Sequence, residues 1–240
     1  MKALIDREVS REDLIFSPPQ LGCLLSLTGL PGGGGKIYDR SPRGNTGTIT
    51  GAVWRQLPSG LWYLDFDGVD DKITIHNNGS LNITEAITLE TWCYPVTSTE
   101  PYDSYIFGST DRYYTLRTVQ GGVMRFQPLI CMDDDNWRSP GYYTYTVDRW
   151  YHVATTYDKN KGSDNFVLYV DGKNKAQATF TTGIKPSTAD ILIGYTTAGL
   201  GEFGYLALIR IYNRALSALQ IQNHFSQEKN LFGVWSAYGG

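Results

Sequence analysis

The sequence predicts an all-β fold, a two-sheet antiparallel jelly-roll sandwich with one short helix near its C-terminus. Short apolar segments of strand length recur along the chain, and clusters of Gly, Asn, Asp and Pro separate them. Only one segment carries the capping residues of a helix. Regularly spaced short strands with turn signals between them are typical of sandwiches and barrels. A chain of 240 residues is long enough for one such domain.

The composition indicates a folded protein that is not a general nucleic-acid binder. Hydrophobic residues make up 41% of the chain and charged residues 19%, which is unlike a disordered segment. The formal net charge is −3, whereas binding nucleic acid requires a basic face that neutralises phosphates. No stretch approaches the roughly 20 apolar residues of a membrane helix. We expect Cys23, Cys93 and Cys131 to be buried free thiols, with one disulfide as the alternative.

Residues 1–20 are predicted to form an N-terminal arm outside the folded domain. They are polar, end in Ser17-Pro18-Pro19-Gln20, and lack the unbroken apolar run of a signal peptide. The double proline favours an extended segment over a helix. The folded domain is expected to span residues 21–228, followed by a C-terminal tail of residues 229–240.

Seven apolar segments are predicted to be strands. They are Leu21 to Leu30, Trp62 to Phe66, Ile87 to Tyr94, Tyr151 to Tyr157, Phe166 to Val170, Ile191 to Ile193 and Leu206 to Tyr212. Alternate residues of a strand face opposite sides of its sheet. Trp92 and Trp150 lie beside Val, Ile and Leu residues, so we expect both indoles to pack in the core.

One helix is predicted to begin after Ser217. This residue is a favourable N-cap, and Gln220 three residues later completes a capping box. Leu216 and Ile221 are spaced for a hydrophobic staple, and Ile221 shares a helix face with Phe225. We therefore expect a short helix that packs on the sandwich.

Several segments, in order, resemble the laminin G-like domains of the concanavalin A-like lectin/glucanase superfamily. They are Gly35 to Trp54, Leu64 to Ile75 (LDFDGVDDKITI), Ser80 to Pro95, Asp148 to Asp158, Phe166 to Lys173, Ile191 to Gly194 and Ile209 to Ile221. The resemblance covers about residues 21 to 225 and implies a concanavalin A-like jelly roll with no fixed activity. Domains of this kind bind sugars, proteins or a structural calcium.

The acidic turn at Asp67, Asp70 and Asp71 is the candidate metal site. Carboxylates are oxygen ligands that Ca²⁺ prefers, so we expect at most one structural calcium and no required cofactor. The alternative is that these aspartates only cap the turn. The family's closing strand supplies a further acid, but Phe203 to Ala207 has none here, and Glu202 is the one nearby substitute.

A second polar cluster is the candidate carbohydrate site. Asp133, Asp135 and Asn136 can hydrogen-bond sugar hydroxyls while Trp137 stacks on the ring, and Tyr143 extends the aromatic surface. The alternative is a solvated loop that binds no ligand.

The sequence predicts no enzyme and no catalytic residue. Glucanases of the superfamily resemble one another in a strand that places two carboxylates about 5 Å apart, whereas Glu90 is alone on its strand. The three histidines, His76, His152 and His224, are far apart in the chain and form no metalloprotease motif.

Two functions fit a non-catalytic binding fold. The first is a virion surface component, such as a decoration, fibre or tail protein, that is homo-oligomeric and reaches other virion proteins through its arm and tail. The apolar residues of the arm, among them Leu14, Ile15 and Phe16, favour this hypothesis. The alternative is a glycan-binding adhesin module of a secreted or cell-surface protein. The expected location is a virion surface or the extracellular space.

Overall fold

The computed structural model describes residues 21–96, 104–109, 111, 113–119, 124–196 and 203–234. The predicted arm and residues 235–240 of the predicted tail lie outside these residues, so the predicted domain limits stay predictions. The described strands, in chain order, are β1 (Cys23–Leu27), β2 (Lys36–Ile37), β3 (Gly47–Thr50), β4 (Val53–Gln56), β5 (Trp62–Asp67), β6 (Lys72–Ile75), β7 (Ala86–Pro95), β8 (Ser104–Ser109), β9 (Tyr114–Val119), β10 (Arg125–Cys131), β11 (Trp137–Arg138), β12 (Tyr143–Thr144), β13 (Tyr151–Asp158), β14 (Phe166–Val170), β15 (Lys173–Ala178), β16 (Ile191–Thr196) and β17 (Phe203–Tyr212).

These strands form two antiparallel sheets. Sheet A has the order β15-β14-β13-β7-β17-β5-β4, and β1 also pairs with β17. Sheet B has the order β11-β10-β9-β8-β16-β6-β3-β2, and β12 also pairs with β10. Each segment predicted as a strand contains one. The predicted two-sheet antiparallel sandwich with a short C-terminal helix is confirmed.

The main core lies between the two sheets. Leu89 and Val153 of sheet A are fully buried in one cluster with Phe107 and Leu116 of sheet B. Alternate residues of β7 and β13 face away from this core, yet most of them are also buried. The reason is that the C-terminal segment covers the outer face of sheet A.

The helix α1 spans Ala218–Glu228, and a 3-10 helix follows at Lys229–Phe232. The predicted capping box of Ser217 and Gln220 is confirmed, because each side chain bonds the other residue's backbone N–H. Leu216 and Ile221 are buried in one cluster on the outer face of sheet A, as the staple requires.

The first residues of the predicted tail pack on the same chain. The ring of Phe232 stacks on Trp92 with centroids 4.1 Å apart and lies 4.8 Å from Trp150. Both indoles are buried, as predicted. Leu231 and Val234 pack against the same cluster, so this part of the tail covers its own sheet.

The three cysteines are buried free thiols, as predicted. In the described part of the chain, no helix has the length and apolar character needed to cross a membrane.

Candidate functional site

The acidic turn lies at the end of the sandwich where β5 ends and β17 begins. Phe203, the first residue of β17, is paired with Asp67, and Gly204 is paired with Pro95. The closing strand therefore starts beside the acidic turn, as the family resemblance implies. The described start of this strand has no carboxylate to offer, and Glu202 lies outside the described residues.

The structure brings Asp67, Asp70 and Asp71 together, with one carboxylate oxygen from each within 4.8 Å of the others. Two of these aspartates also hold the turn: Asp67 N donates to Asp71 Oδ2 at 2.8 Å, and Val69 N donates to Asp67 Oδ1 at 2.8 Å. Gly51 makes room for this arrangement, because a Cβ there would lie 1.8 Å from Asp71 Oδ1.

Burial raises the pKa of Asp71, and the negative charges of Asp67 and Asp70 add to that rise. Three carboxylates that repel one another are a donor set that fits a hard divalent cation such as Ca²⁺. The hydrogen bonds within the turn equally fit the capping role, so calcium binding stays a prediction.

The turn between β10 and β11 is held by its own polar groups and by contacts with the segment at Gly183 and Lys185. Asp133 accepts a hydrogen bond from Gly183 N at Oδ2, 3.1 Å away. Asp135 adopts a positive φ of 60°, and its carboxylate forms an ion pair with Lys185. Asn136 N donates to Asp134 Oδ1 at 3.0 Å. Asp133, Asp135 and Asn136 are all exposed, and Asp133 also has a structural role because its carboxylate holds Gly183.

Trp137 and Tyr143 lie on opposite faces of sheet B. Trp137 is paired with Cys131 of β10, whereas Tyr143 is paired with Phe126. Because these β10 residues are separated by an odd number of positions, their side chains alternate to opposite faces. Trp137 is 44% exposed, and Tyr143 packs against the main core. The structure therefore places Trp137 directly after Asp135 and Asn136, and on the opposite face of sheet B from Tyr143.

Sequence reasoning missed a buried polar cluster beneath α1. Glu90 of β7 lies at its centre, fully buried, with Oε1 2.8 Å from His152 Nε2 and 2.8 Å from His224 Nδ1. Arg210 Nη1 lies 3.6 Å from Glu90 Oε2. Three positively charged or hydrogen-bonding side chains therefore surround one carboxylate.

The last residue of α1 joins the same cluster. Glu228 accepts a hydrogen bond from Arg210 Nη2 at 2.6 Å and from Trp92 Nε1 at 2.7 Å. The helix is thus tied to sheet A at His224 and again at Glu228. We call Glu90, His152, Arg210, His224 and Glu228 the buried polar network.

The charges of this network depend on each other. Burial of Glu90 opposes its negative charge, but His224, His152 and Arg210 outweigh that effect and hold the pKa of Glu90 well below its usual value. Burial likewise opposes the charge of His224, but the Glu90 carboxylate raises the pKa of His224. The arrangement anchors the helix and is closed to a substrate.

Comparisons with known proteins agree with the fold. A family model described as the concanavalin A-like lectin/glucanases superfamily matches residues 67–222, more than half of the chain. No curated protein matches the chain in sequence.

Three solved structures illustrate the similarity. The binding domain of botulinum neurotoxin serotype G is 15% identical, with a TM-score of 0.68 over 86% of this chain and 51% of that one. The binding domain of Paraclostridial Mosquitocidal Protein 1 is 15% identical, with a TM-score of 0.68 over 88% and 55%. Domain 4 of AbnA, a GH43 extracellular arabinanase from Geobacillus stearothermophilus, is 18% identical, with a TM-score of 0.64 over 84% and 97%. The chain spans about half the length of the toxin domains. At these identities the similarity shows the fold.

Proposed function

The chain belongs to the concanavalin A-like lectin/glucanase superfamily, and we propose that it is a non-catalytic carbohydrate-binding module. The observation that carries this proposal is the exposed indole of Trp137 on β11, the edge strand of sheet B. Asp135 and Asn136 lie directly beside it in the chain and are exposed. An indole packs against the C–H groups of a sugar ring, and side-chain oxygens accept hydrogen bonds from its hydroxyls.

The ligands of similar structures make glycans the first class to test. Domain 4 of AbnA was solved in complex with arabinotriose. Cell entry of botulinum neurotoxin type C is described as dependent upon interaction with two ganglioside molecules. A protein receptor is also represented, since the botulinum neurotoxin DC binding domain was solved with rat synaptotagmin II. These ligands belong to those proteins and support only the choice of ligand class.

The absence of catalysis is part of the proposal. Glu90 is the carboxylate on β7, and α1 buries it completely among His152, His224 and Arg210. A group enclosed in this way cannot protonate or attack a bound glycoside. Incubation with an oligosaccharide panel should release no reducing ends, and steady release by the purified chain would contradict this part.

Glycan binding can be tested with one variant and a matched control. Trp137→Ala should weaken binding to an oligosaccharide array by about 10-fold, because one stacking contact contributes about 0.5–1.5 kcal/mol beyond its buried area. Tyr38→Ala removes another exposed aromatic ring (50% exposed) and should leave binding unchanged. Equal binding by wild type and Trp137→Ala would contradict the proposal.

We also propose that the acidic turn binds one Ca²⁺ ion. Asp67, Asp70 and Asp71 would supply carboxylate oxygens to it, and the ion would offset their mutual repulsion. Its role there is structural.

As a second function we propose a virion surface component, with a virion surface or extracellular location and a homo-oligomeric state. It rests on residues 1–20, where Leu14, Ile15 and Phe16 interrupt a polar segment. A chain that lacks residues 1–20 should fold and yet lose its incorporation into particles or oligomers. Normal assembly of the truncated chain would contradict this second function.

A further inference from the structure

Three tyrosines from adjacent strands form a continuous row on the outer face of sheet A. Tyr205 of β17 is paired directly with Tyr94 of β7, and the two ring centroids are 5.1 Å apart. Tyr63 of β5 lies on the other side of Tyr205, with centroids 4.9 Å apart. We call Tyr63, Tyr94 and Tyr205 the tyrosine face. It lies on the other sheet from Trp137.

A buried indole supports this row. Trp150 contacts Tyr63 edge-on at 5.6 Å and Tyr94 edge-on at 5.6 Å, and Phe232 packs behind it. The three phenol rings are therefore held by a buried neighbour, while each is only partly exposed. Aromatic rings held in place before a ligand arrives lose little conformational entropy when it binds.

The phenol hydroxyls are free to bind a ligand. Among the residues that the structure describes, none of the three hydroxyls has a hydrogen-bond partner. Burial raises the pKa of Tyr63 and of Tyr94, so both hydroxyls keep their protons at neutral pH. A neutral phenol hydroxyl donates one hydrogen bond and accepts others.

Charged groups border the tyrosine face. Asp65 of β5 is paired with Tyr205 on one side and with Val53 on the other. Arg55 Nε donates to Asp65 Oδ2 at 3.2 Å, and Val53 is 49% exposed. A carboxylate and a guanidinium that lie side by side can accept from and donate to neighbouring hydroxyls of a polyol.

We propose that the tyrosine face is a second saccharide-binding site, independent of Trp137, that takes a neutral sugar unit. The ring edges and the exposed Val53 contact the C–H groups of the sugar, and the phenol hydroxyls with Asp65 and Arg55 bond its hydroxyl groups. A saccharide fits this combination better than an apolar segment, because an apolar segment would leave these polar groups without partners.

The test titrates the full chain with neutral trisaccharides of arabinose, xylose, mannose, glucose and galactose. Binding is followed by calorimetry, and by tryptophan fluorescence in the Trp137→Ala variant, where Trp150 beside the face is one of the five remaining indoles. We expect at least one trisaccharide to bind, with affinity about 5-fold to 10-fold weaker in Tyr205→Ala, the range that one aromatic contact supports. Tyr38→Ala is the matched control and should bind as the wild type does.

Further variants separate this site from the proposed function and from misfolding. Trp137→Ala should leave binding at the tyrosine face intact, so the two sites can fail separately. Tyr205→Phe keeps the ring and removes one hydroxyl, and Asp65→Asn keeps the shape and removes the charge. Both should retain the wild-type melting temperature and weaken binding.

Several outcomes would overturn the inference. One is that no trisaccharide binds, and another is that Tyr205→Ala, Tyr205→Phe and Asp65→Asn all bind as the wild type does. A third is binding that is seen only after removal of residues 235–240, which would mean that the chain's own C-terminal residues occupy the face. A fourth is that the chain binds no sugar but forms a dimer, and that Tyr205→Ala makes it monomeric, which would mean that a second copy of the chain occupies the face.

Discussion

Replacement of Glu90 by Gln tests the buried polar network most sharply. Glu90 is fully buried, and its carboxylate faces His152 and His224 at 2.8 Å and Arg210 at 3.6 Å. The amide of Gln keeps the shape but removes the charge, and its NH₂ group turns a donor toward other donors. Removing one partner of a buried ion pair destabilises a protein by about 3–5 kcal/mol, because the remaining charge stays buried without its partner.

This loss should be visible in thermal unfolding followed by circular dichroism. For a domain of this size, 1 kcal/mol shifts the melting temperature by about 2–4 °C, so Glu90→Gln should lower it by about 6–20 °C. The matched control is Glu85→Gln, which removes an exposed carboxylate that pairs with Lys159 and should change it little. Equal melting temperatures for Glu90→Gln and the wild type would refute the reasoning.

Three further predictions follow from the same contacts. The pKa of Glu90 is lowered from 4.5, so this group adds stability that is fully present above pH 4.5 and is lost as the pH falls through the lowered pKa. The pKa of His224 is raised from 6.5, so this group adds stability that is fully present below pH 6.5 and is lost as the pH rises through the raised pKa. The difference in melting temperature between wild type and Glu90→Gln should thus be largest between pH 4.5 and pH 6.5, and a difference independent of pH would contradict this. Saturating Ca²⁺ should raise the melting temperature of the wild type, since a ligand at 100 times its Kd adds about 2.7 kcal/mol to the free energy of unfolding. It should not raise the melting temperature of Asp71→Asn. The absence of a shift in both proteins would exclude the ion. Phe232→Ala should destabilise the domain by about 3–5 kcal/mol in denaturant titrations, because the ring is buried against Trp92, whereas a loss below about 1 kcal/mol would contradict that packing.

The local parts of the fold could be predicted because their signals lie within a few residues. Apolar segments of strand length locate strands such as β5, predicted at Trp62 to Phe66, where Leu64 and Phe66 are buried and Tyr63 and Asp65 are half-buried. The helix start follows from Ser217 and Gln220, whose side chains bond each other's backbone. Signals of this kind do not depend on which strands become neighbours.

The buried polar network could not be predicted, because its members come from distant parts of the chain. His152 and His224 are 62 and 134 positions from Glu90, and only the sheet order places β13 beside β7. The tyrosine face has the same origin: alternation places Tyr63, Tyr94 and Tyr205 on the outer side of their own strands, but their contact depends on the order β7-β17-β5.

The candidate carbohydrate site was predictable in part for a similar reason. Asp135, Asn136 and Trp137 are consecutive, so one turn keeps them together. Tyr143 is on a separate strand whose pairing with Phe126 sets the face of its side chain, and that pairing has no local signal.

The central claim, glycan binding at the edge of sheet B, is tested most directly by mapping a bound trisaccharide with backbone amide chemical shifts. The measurement uses the Tyr205→Ala variant, in which binding at the tyrosine face is weakened. A trisaccharide that binds this variant should shift the amides of the turn and strand that carry Asp135, Asn136 and Trp137, and adding Trp137→Ala should abolish those shifts. Saturation of Tyr205→Ala by the same trisaccharide with no shift in residues 131–138 would contradict the account.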